Sequence, residues 1–215
     1  MKRTPITLLA AASLLVGGAV ASSPAAAGGR DHSHGSPGSG SGIESARTIA
    51  EGLFTPLSLA IDDRGRALVS QNFLGELLRI APDGTRTTVA STGGDEIGAL
   101  STRGRTIYWA TTGQDPAAPS AKLFAQRGTG QPRQIADLRA YEAANNPDQG
   151  TSYGFRDLAP DCLAQLPAGF PGSYTGLVDS HPYATYAAKN KVYVADAAAN
   201  AILSVRTNRA NATPR

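Results

Sequence analysis

Apolar and polar residues alternate in short runs, and the same arrangement occurs three times. Thr55 to Ala90 reads TPLSLAIDDRGRALVSQNFLGELLRIAPDGTRTTVA. Glu96 to Ala136 reads EIGALSTRGRTIYWATTGQDPAAPSAKLFAQRGTGQPRQIA, and His181 to Asn208 reads HPYATYAAKNKVYVADAAANAILSVRTN. Each opens with a short strand pattern, passes a polar turn and enters a second strand that ends in a small residue. In the first, Leu57, Leu59 and Ile61 share one strand face. The turns are Arg64-Gly65-Arg66, Arg103-Gly104-Arg105 and Lys189-Asn190-Lys191. Gly and Asn tolerate the positive φ that tight hairpins need.

Further strands follow each loop, at Leu77 to Ile80, Lys122 to Phe124 and Ile202 to Val205. Ala81-Pro82-Asp83-Gly84 is a turn before an outer strand at Thr85 to Ala90. Gly65 and Gly104 recur near the ~40–45-residue, four-strand period of a propeller blade. An ordinary β-sandwich would supply strands, but not this order three times. The expected class is all-β, a partial β-propeller of about three blades. Between the second and third units lies an insert, residues 137–178, with helices expected over Asp137 to Asn145 and Pro160 to Leu166. Inserts of this length in compact domains are usually functional or capping.

The N-terminus departs from this pattern. Lys2 and Arg3, an apolar run from Ile6 to Val20, and the small residues Ala25-Ala26-Ala27 read as a signal peptide over 1–27. The run is shorter than the ~20 residues of a spanning helix. A secreted, extracellular protein beginning at Gly28 is expected, with no membrane span after cleavage. Residues 28–46 form a Gly/Ser/His linker with nothing to bury. The partial propeller then occupies 47–208, and 209–215 is a polar tail. The formal charge of +3 includes Lys2 and Arg3, so the processed chain is close to neutral. With no basic run carrying aromatics, no nucleic-acid partner is expected. A single cysteine, Cys162, leaves no internal disulfide; it is expected as a small buried group. Tyr108, Trp109 and Tyr193 are expected in blade packing, and Asp196 as a loop-closing acceptor of backbone hydrogen bonds.

The stretches "NNPDQGTSYGF", "YTGLVDSHPYATY" and "VYVADAAANAILSV" resemble the secreted actinobacterial propeller proteins of the ScyD/ScyE family, a likeness running from about Ile49 to Val205. The resemblance implies a six-bladed, NHL-like propeller with a signal peptide, and it brings no catalytic residues. Members of that family continue through further blades after the equivalent of "NAILSV", so a truncated product is expected. The expected function is a non-catalytic binding or scaffold role, with an unknown ligand or envelope component as partner. The alternative is a metal-dependent lactonase- or lyase-like enzyme of the gluconolactonase-like class. No Gly-x-Ser-x-Gly, His-Glu-x-x-His or Cys-x-x-Cys motif is present.

Aligning the repeats places Thr55-Pro56 with Glu96-Ile97 and His181-Pro182. Inner strands of a propeller crowd around one channel mouth. Asp95 and Glu96 of one blade are thereby expected near Asp179 and His181 of another, as a ligand-facing rim. Such a rim can take a divalent cation such as calcium, although no cofactor is required. The plainer reading is that these residues cap strand entry, with Asp179 bonding the backbone of its own turn.

Overall fold

The computed structural model describes residues 47–207. The leader, most of the linker and the tail from residue 208 lie outside the described residues. Two four-stranded antiparallel sheets follow one another along the chain. The first is β1 (Pro56–Ile61), β2 (Ala67–Gln71), β3 (Glu76–Ile80) and β4 (Arg86–Ser91), in that spatial order. The second is β5 (Glu96–Arg103), β6 (Thr106–Thr112), β7 (Ala121–Arg127) and β8 (Arg133–Asp137), again in sequence order. After the insert come β11 (Pro182–Ala188), β12 (Lys191–Asp196) and β13 (Ala201–Arg206), a three-stranded sheet of the same up-and-down order. This is a partial β-propeller of three consecutive blades.

The turns form as their residues dictate. Gly65, Gly104 and Asn190 all take positive φ, at 75°, 53° and 68°. In the first turn Asp62 Oδ1 also accepts the backbone N–H groups of Arg64 and Arg66, both at 3.0 Å. Burial alone would raise the Asp62 carboxyl. The hydrogen bonds from Arg66 and Arg64 override it and hold the group below the usual carboxylate range.

The first strand of every blade carries an irregularity at the same place. The register to the second strand shifts between Pro56 and Leu59, between Ile97 and Ala99, and between Pro182 and Ala184. A bulge bends its strand and re-aims the neighbouring side chains. The three bulges meet. Ser58 Oγ donates to the Gly98 carbonyl at 2.7 Å and lies 3.4 Å from the Tyr183 carbonyl. A Cβ on residue 98 would stand 2.6 Å from the Pro182 carbonyl oxygen, so only glycine fits this approach. Farther along, Thr102 Oγ1 donates to the Ile61 carbonyl at 2.7 Å, and Thr185 Oγ1 to Ser101 Oγ at 2.8 Å. Strand β5 is thus flanked by β1 and β11, and the first strands are innermost.

Apolar faces fill the space between blades. Leu68, Leu77, Ile97, Leu100, Ile107 and Trp109 form one cluster between blades 1 and 2. Trp109 stacks on Phe124 with ring centroids 5.7 Å apart. Blades 2 and 3 close over Leu123, Leu138, Val192, Val194, Leu203 and Val205, where Ala99, Ala110 and Ala121 let the sheets approach.

Leu57, Leu59 and Ile61 share a face, as their alternation indicates, and it is exposed, because Ser58 and Ala60 are the residues turned toward blade 2. Two expectations need correction. Tyr193 alternates out of blade 3 and is partly exposed, with the Lys191 ammonium 5.5 Å from its ring. Cys162 is exposed, because the short helix that carries it buries none of its residues.

The insert is more structured than its sequence indicates. Asp137 caps helix α1 (Leu138–Asn145) by accepting the Ala140 N–H at 2.8 Å. A two-stranded ribbon follows, β9 (Ser152–Gly154) paired with β10 (Ser173–Thr175). Helix α2 spans only Pro160–Leu163, within the ribbon's long loop.

Gly98→Val is expected to destabilise the protein by about 1–3 kcal/mol or more through overpacking at the bulge. Gly150→Ala, where nothing lies within 4 Å of the new methyl, is expected to stay within about 0.5 kcal/mol of the parent. Urea denaturation of the two variants checks the contrast.

Candidate functional site

The bulged ends of the inner strands position a buried polar cluster. Glu96 begins β5 and is buried. Its Oε2 accepts Asn72 Nδ2 at 2.8 Å and lies 3.0 Å from His181 Nε2, while Oε1 accepts Gln114 Nε2 at 2.6 Å. Asn72 sits in a 3₁₀ turn after β2, Gln114 in the loop after β6, and His181 just before β11. One carboxylate therefore gathers donors from all three blades.

His181 is fixed from two sides. Its ring stacks on Tyr183, centroids 4.4 Å apart at 23°, while its side chain is 27% exposed. Its backbone N–H donates to Asp196 Oδ1 at 2.6 Å. Asp196 also accepts the Ser180 hydroxyl and, at 3.3 Å, the Ala199 N–H. It is the loop-closing acceptor its place in the repeat suggests, and through the backbone it positions the imidazole. Burial raises the Tyr183 phenol above its ordinary value, and the nearby Glu96 charge adds to the shift.

Of the four residues expected at the rim, the structure joins Glu96 and His181. Asp95 goes elsewhere. It lies in the bend just before β5 and lines a cavity of about 240 Å³ with Trp109, Lys122 and Phe124. Asp179 is exposed and accepts the N–H of Ser180 at 2.8 Å, within its own turn. Asn72 and Gln114 were not legible as partners. Nothing in their local sequence distinguishes them from ordinary loop amides.

A second polar group lies at the same end, under the insert. Glu142 on α1 is fully buried, and neither carboxylate oxygen has a hydrogen-bond partner. Burial pushes its carboxyl up; Asp148, Asp196 and Asp179 add to the shift and Arg139 opposes it, leaving it at about 7. Asp148 accepts Asn200 Nδ2 on Oδ2 at 2.8 Å, and its Oδ1 is buried without a partner. Glu142 sits in the helical pattern of α1 like a solvated residue, so nothing in the local pattern marks its burial. Glu96, Glu142, Asp148 and Asp196 gather here with Arg139, whereas Arg64, Arg66, Arg103, Arg105, Lys189 and Lys191 flank or form the hairpin turns at the far ends of the strands, together with Asp62 and Asp63.

No family model matches the chain, and comparison with curated proteins gives no match. Solved structures do match. The PQQ-bound form of an aldose sugar dehydrogenase from Streptomyces coelicolor aligns at 13% identity with a TM-score of 0.35, covering 79% of this chain and 83% of that one. YCF48 bound to a D1 peptide aligns at 16% identity and 0.41; the alignment covers 76% of this chain but only 39% of YCF48. A putative oxidoreductase (glucose dehydrogenase) from Thermus thermophilus aligns at 12% and 0.37, covering 77% and 84%. The propeller assignment itself rests on the strand order, the stacked inner strands and the bulge repeated in every blade.

The two buried carboxylates predict opposite mutational outcomes. Glu96→Ala leaves two amide donors and an imidazole without their acceptor and is expected to cost about 2–4 kcal/mol in urea denaturation. Glu142 is different. A carboxyl raised in the folded state stabilises fully below its unfolded value near 4.5, and this contribution is lost as pH rises through about 7. In chelator-containing buffer the melting temperature is expected to fall across that window. Glu142→Gln should flatten the fall and melt higher than the parent at about pH 8.

Proposed function

We propose that this chain is a secreted, non-catalytic binding propeller of the ScyD/ScyE type, which holds a polar ligand or envelope component at the bulged ends of its inner strands. The saturation of Glu96 carries the reading. Its two oxygens already serve three side-chain donors, Asn72, Gln114 and His181. A carboxylate so occupied is a structural fixture, with little capacity left to act as general base or metal ligand. What this cluster offers a visitor is the exposed part of the His181 imidazole beside the face of Tyr183. Such a surface suits stacking and hydrogen bonding. A metal-dependent lactonase-like site built on Glu96 would need a free oxygen of that carboxylate, and Glu96 does not supply one.

Two measurements test the proposal. Expression of the full chain in a secreting bacterial host should give exported protein whose N-terminal residue is Gly28. That protein should co-sediment with isolated cell envelope, and His181→Ala should weaken the co-sedimentation at least several-fold while leaving the melting temperature within a few degrees. Hydrolysis of simple δ-lactones that requires added divalent metal and is lost in Glu96→Gln would instead establish the enzymatic alternative.

A further inference from the structure

Native proteins leave few buried polar atoms without partners, and each costs about 1–3 kcal/mol. Four such oxygens crowd into one short stretch here: both carboxylate oxygens of Glu142, Oδ1 of Asn146 and Oδ1 of Asp148. They belong to the last turn of α1 and the loop after it. Asn146 closes the helix in a left-handed conformation, with φ of 32° and its N–H on the Glu142 carbonyl at 2.8 Å. Its side-chain nitrogen donates to the Gly176 carbonyl at 3.3 Å, which commits the amide's other end, Oδ1, to the interior. Asp148 is pressed on the same glycine; a Cβ on residue 176 would stand 2.2 Å from Asp148 Oδ1. With Oδ2 taken by Asn200, Oδ1 is the free oxygen. Gly176 thus clamps the Asn146 and Asp148 side chains together beside buried Glu142.

We propose that Glu142, Asn146 and Asp148 form a binding site for a hard divalent cation, calcium by the chemistry of its donors. Every free oxygen of the set is a carboxylate or amide oxygen, with no sulfur or imidazole nitrogen beside it, and this favours a hard ion over zinc or copper. Arg139 Nε and Nη1, on the same helix, are also buried without partners and are the positive charge the ion must displace or tolerate. Among the described residues no three Asp, Glu, His or Cys side chains converge to hold a metal. The set is therefore two carboxylates completed by an amide oxygen, an irregular arrangement that calcium accepts and magnesium, with its strict octahedron, does not. Asp196 is excluded as a ligand by the hydrogen bonds it already accepts. Its charge, with that of Asp179, still bears on Glu142, and Arg139 is the cation that opposes them. Water could satisfy the free oxygens but could not relieve this repulsion. A bound cation does both. It also ties α1 to the ribbon and, through Asp148 and Asn200, to blade 3. The site uses none of the side chains that bond Glu96, so its failure would leave the proposal for the channel mouth standing.

The test uses the full chain, stripped with chelator and titrated with calcium chloride. One saturable calcium site is expected, with a dissociation constant of about 10⁻⁵ to 10⁻³ M, a raised melting temperature and a much weaker response to magnesium. Terbium(III), a luminescent stand-in for calcium, should be sensitised by Tyr153, whose phenol is raised by burial and further by the nearby Asp148 carboxylate. Calcium should compete it off. Asp148→Asn and Glu142→Gln should each weaken binding at least tenfold, while Asp63→Asn at the far end of the sheets should leave it unchanged. Because Glu142→Gln should be at least as stable as the parent in chelator, its loss of binding cannot be ascribed to misfolding. The proposal is overturned if calcium gives no saturable response, or if Glu142→Gln binds as tightly as the parent. In the first case water and a protonated Glu142 fill the site.

Discussion

The approach of three inner strands at their bulges is the constraint on which the remaining structure depends. Antiparallel sheets stacked face to face usually stand about 10 Å apart, yet here backbone meets backbone at Gly98. The Pro182 carbonyl occupies the place of a side chain, and the Ser58 hydroxyl joins the strands on either side. The bulges make this contact by turning the first residues of each inner strand out of the regular pleat. Glu96 and His181 stand at the beginnings of β5 and β11. Their 3.0 Å contact follows from the same distortion that brings Gly98 against Pro182.

Around that contact the blades stabilise one another rather than themselves. Each sheet is thin, and its apolar residues are buried only where a neighbouring sheet covers them. Val192, Val194, Leu203 and Val205 of blade 3 close on the alanines and Leu123 of blade 2. Leu68 and Leu77 of blade 1 close on Ile97 and Trp109. This is nearest-neighbour stabilisation of the kind found in repeat proteins. The exposed Leu57, Leu59 and Ile61 are the same logic seen where no described residue covers a blade face.

Two buried carboxylates at one end of the blades show how differently a protein can treat the same group. Glu96 is surrounded by donors and is a fixed acceptor that locks three blades together. Glu142 has Asp148, Asp196 and Asp179 near it, opposed by Arg139, and no donor on either oxygen. Burying a carboxylate is costly unless it is paired. The first arrangement meets that cost with hydrogen bonds inside the protein, and the second leaves it to a proton or a bound ion.

Much of the blade architecture is local and could be read along the chain. Alternating apolar runs set the strands, Gly65, Gly104 and Asn190 set the turns, and the recurrence of both set the blade order, because strand period and positive φ are properties of a few adjacent residues. Repeat alignment also brought Glu96 and His181 to a common end, since equivalent strand starts share a position around an axis. Beyond that, the tertiary structure decided. Asp95 and Glu96 are neighbours in sequence but part company at the start of β5, Asp95 to a separate cavity and Glu96 to the inter-blade cluster, and only packing determines which of them meets the next blade. The bulges depend on how close two sheets come, a distance no single strand encodes. Glu142, Asn146 and Asp148 look like solvated residues of a short helix and loop. Asn146 and Asp148 are held by Gly176 and Asn200, which lie far away in sequence, and a residue's solvation is fixed by what covers it.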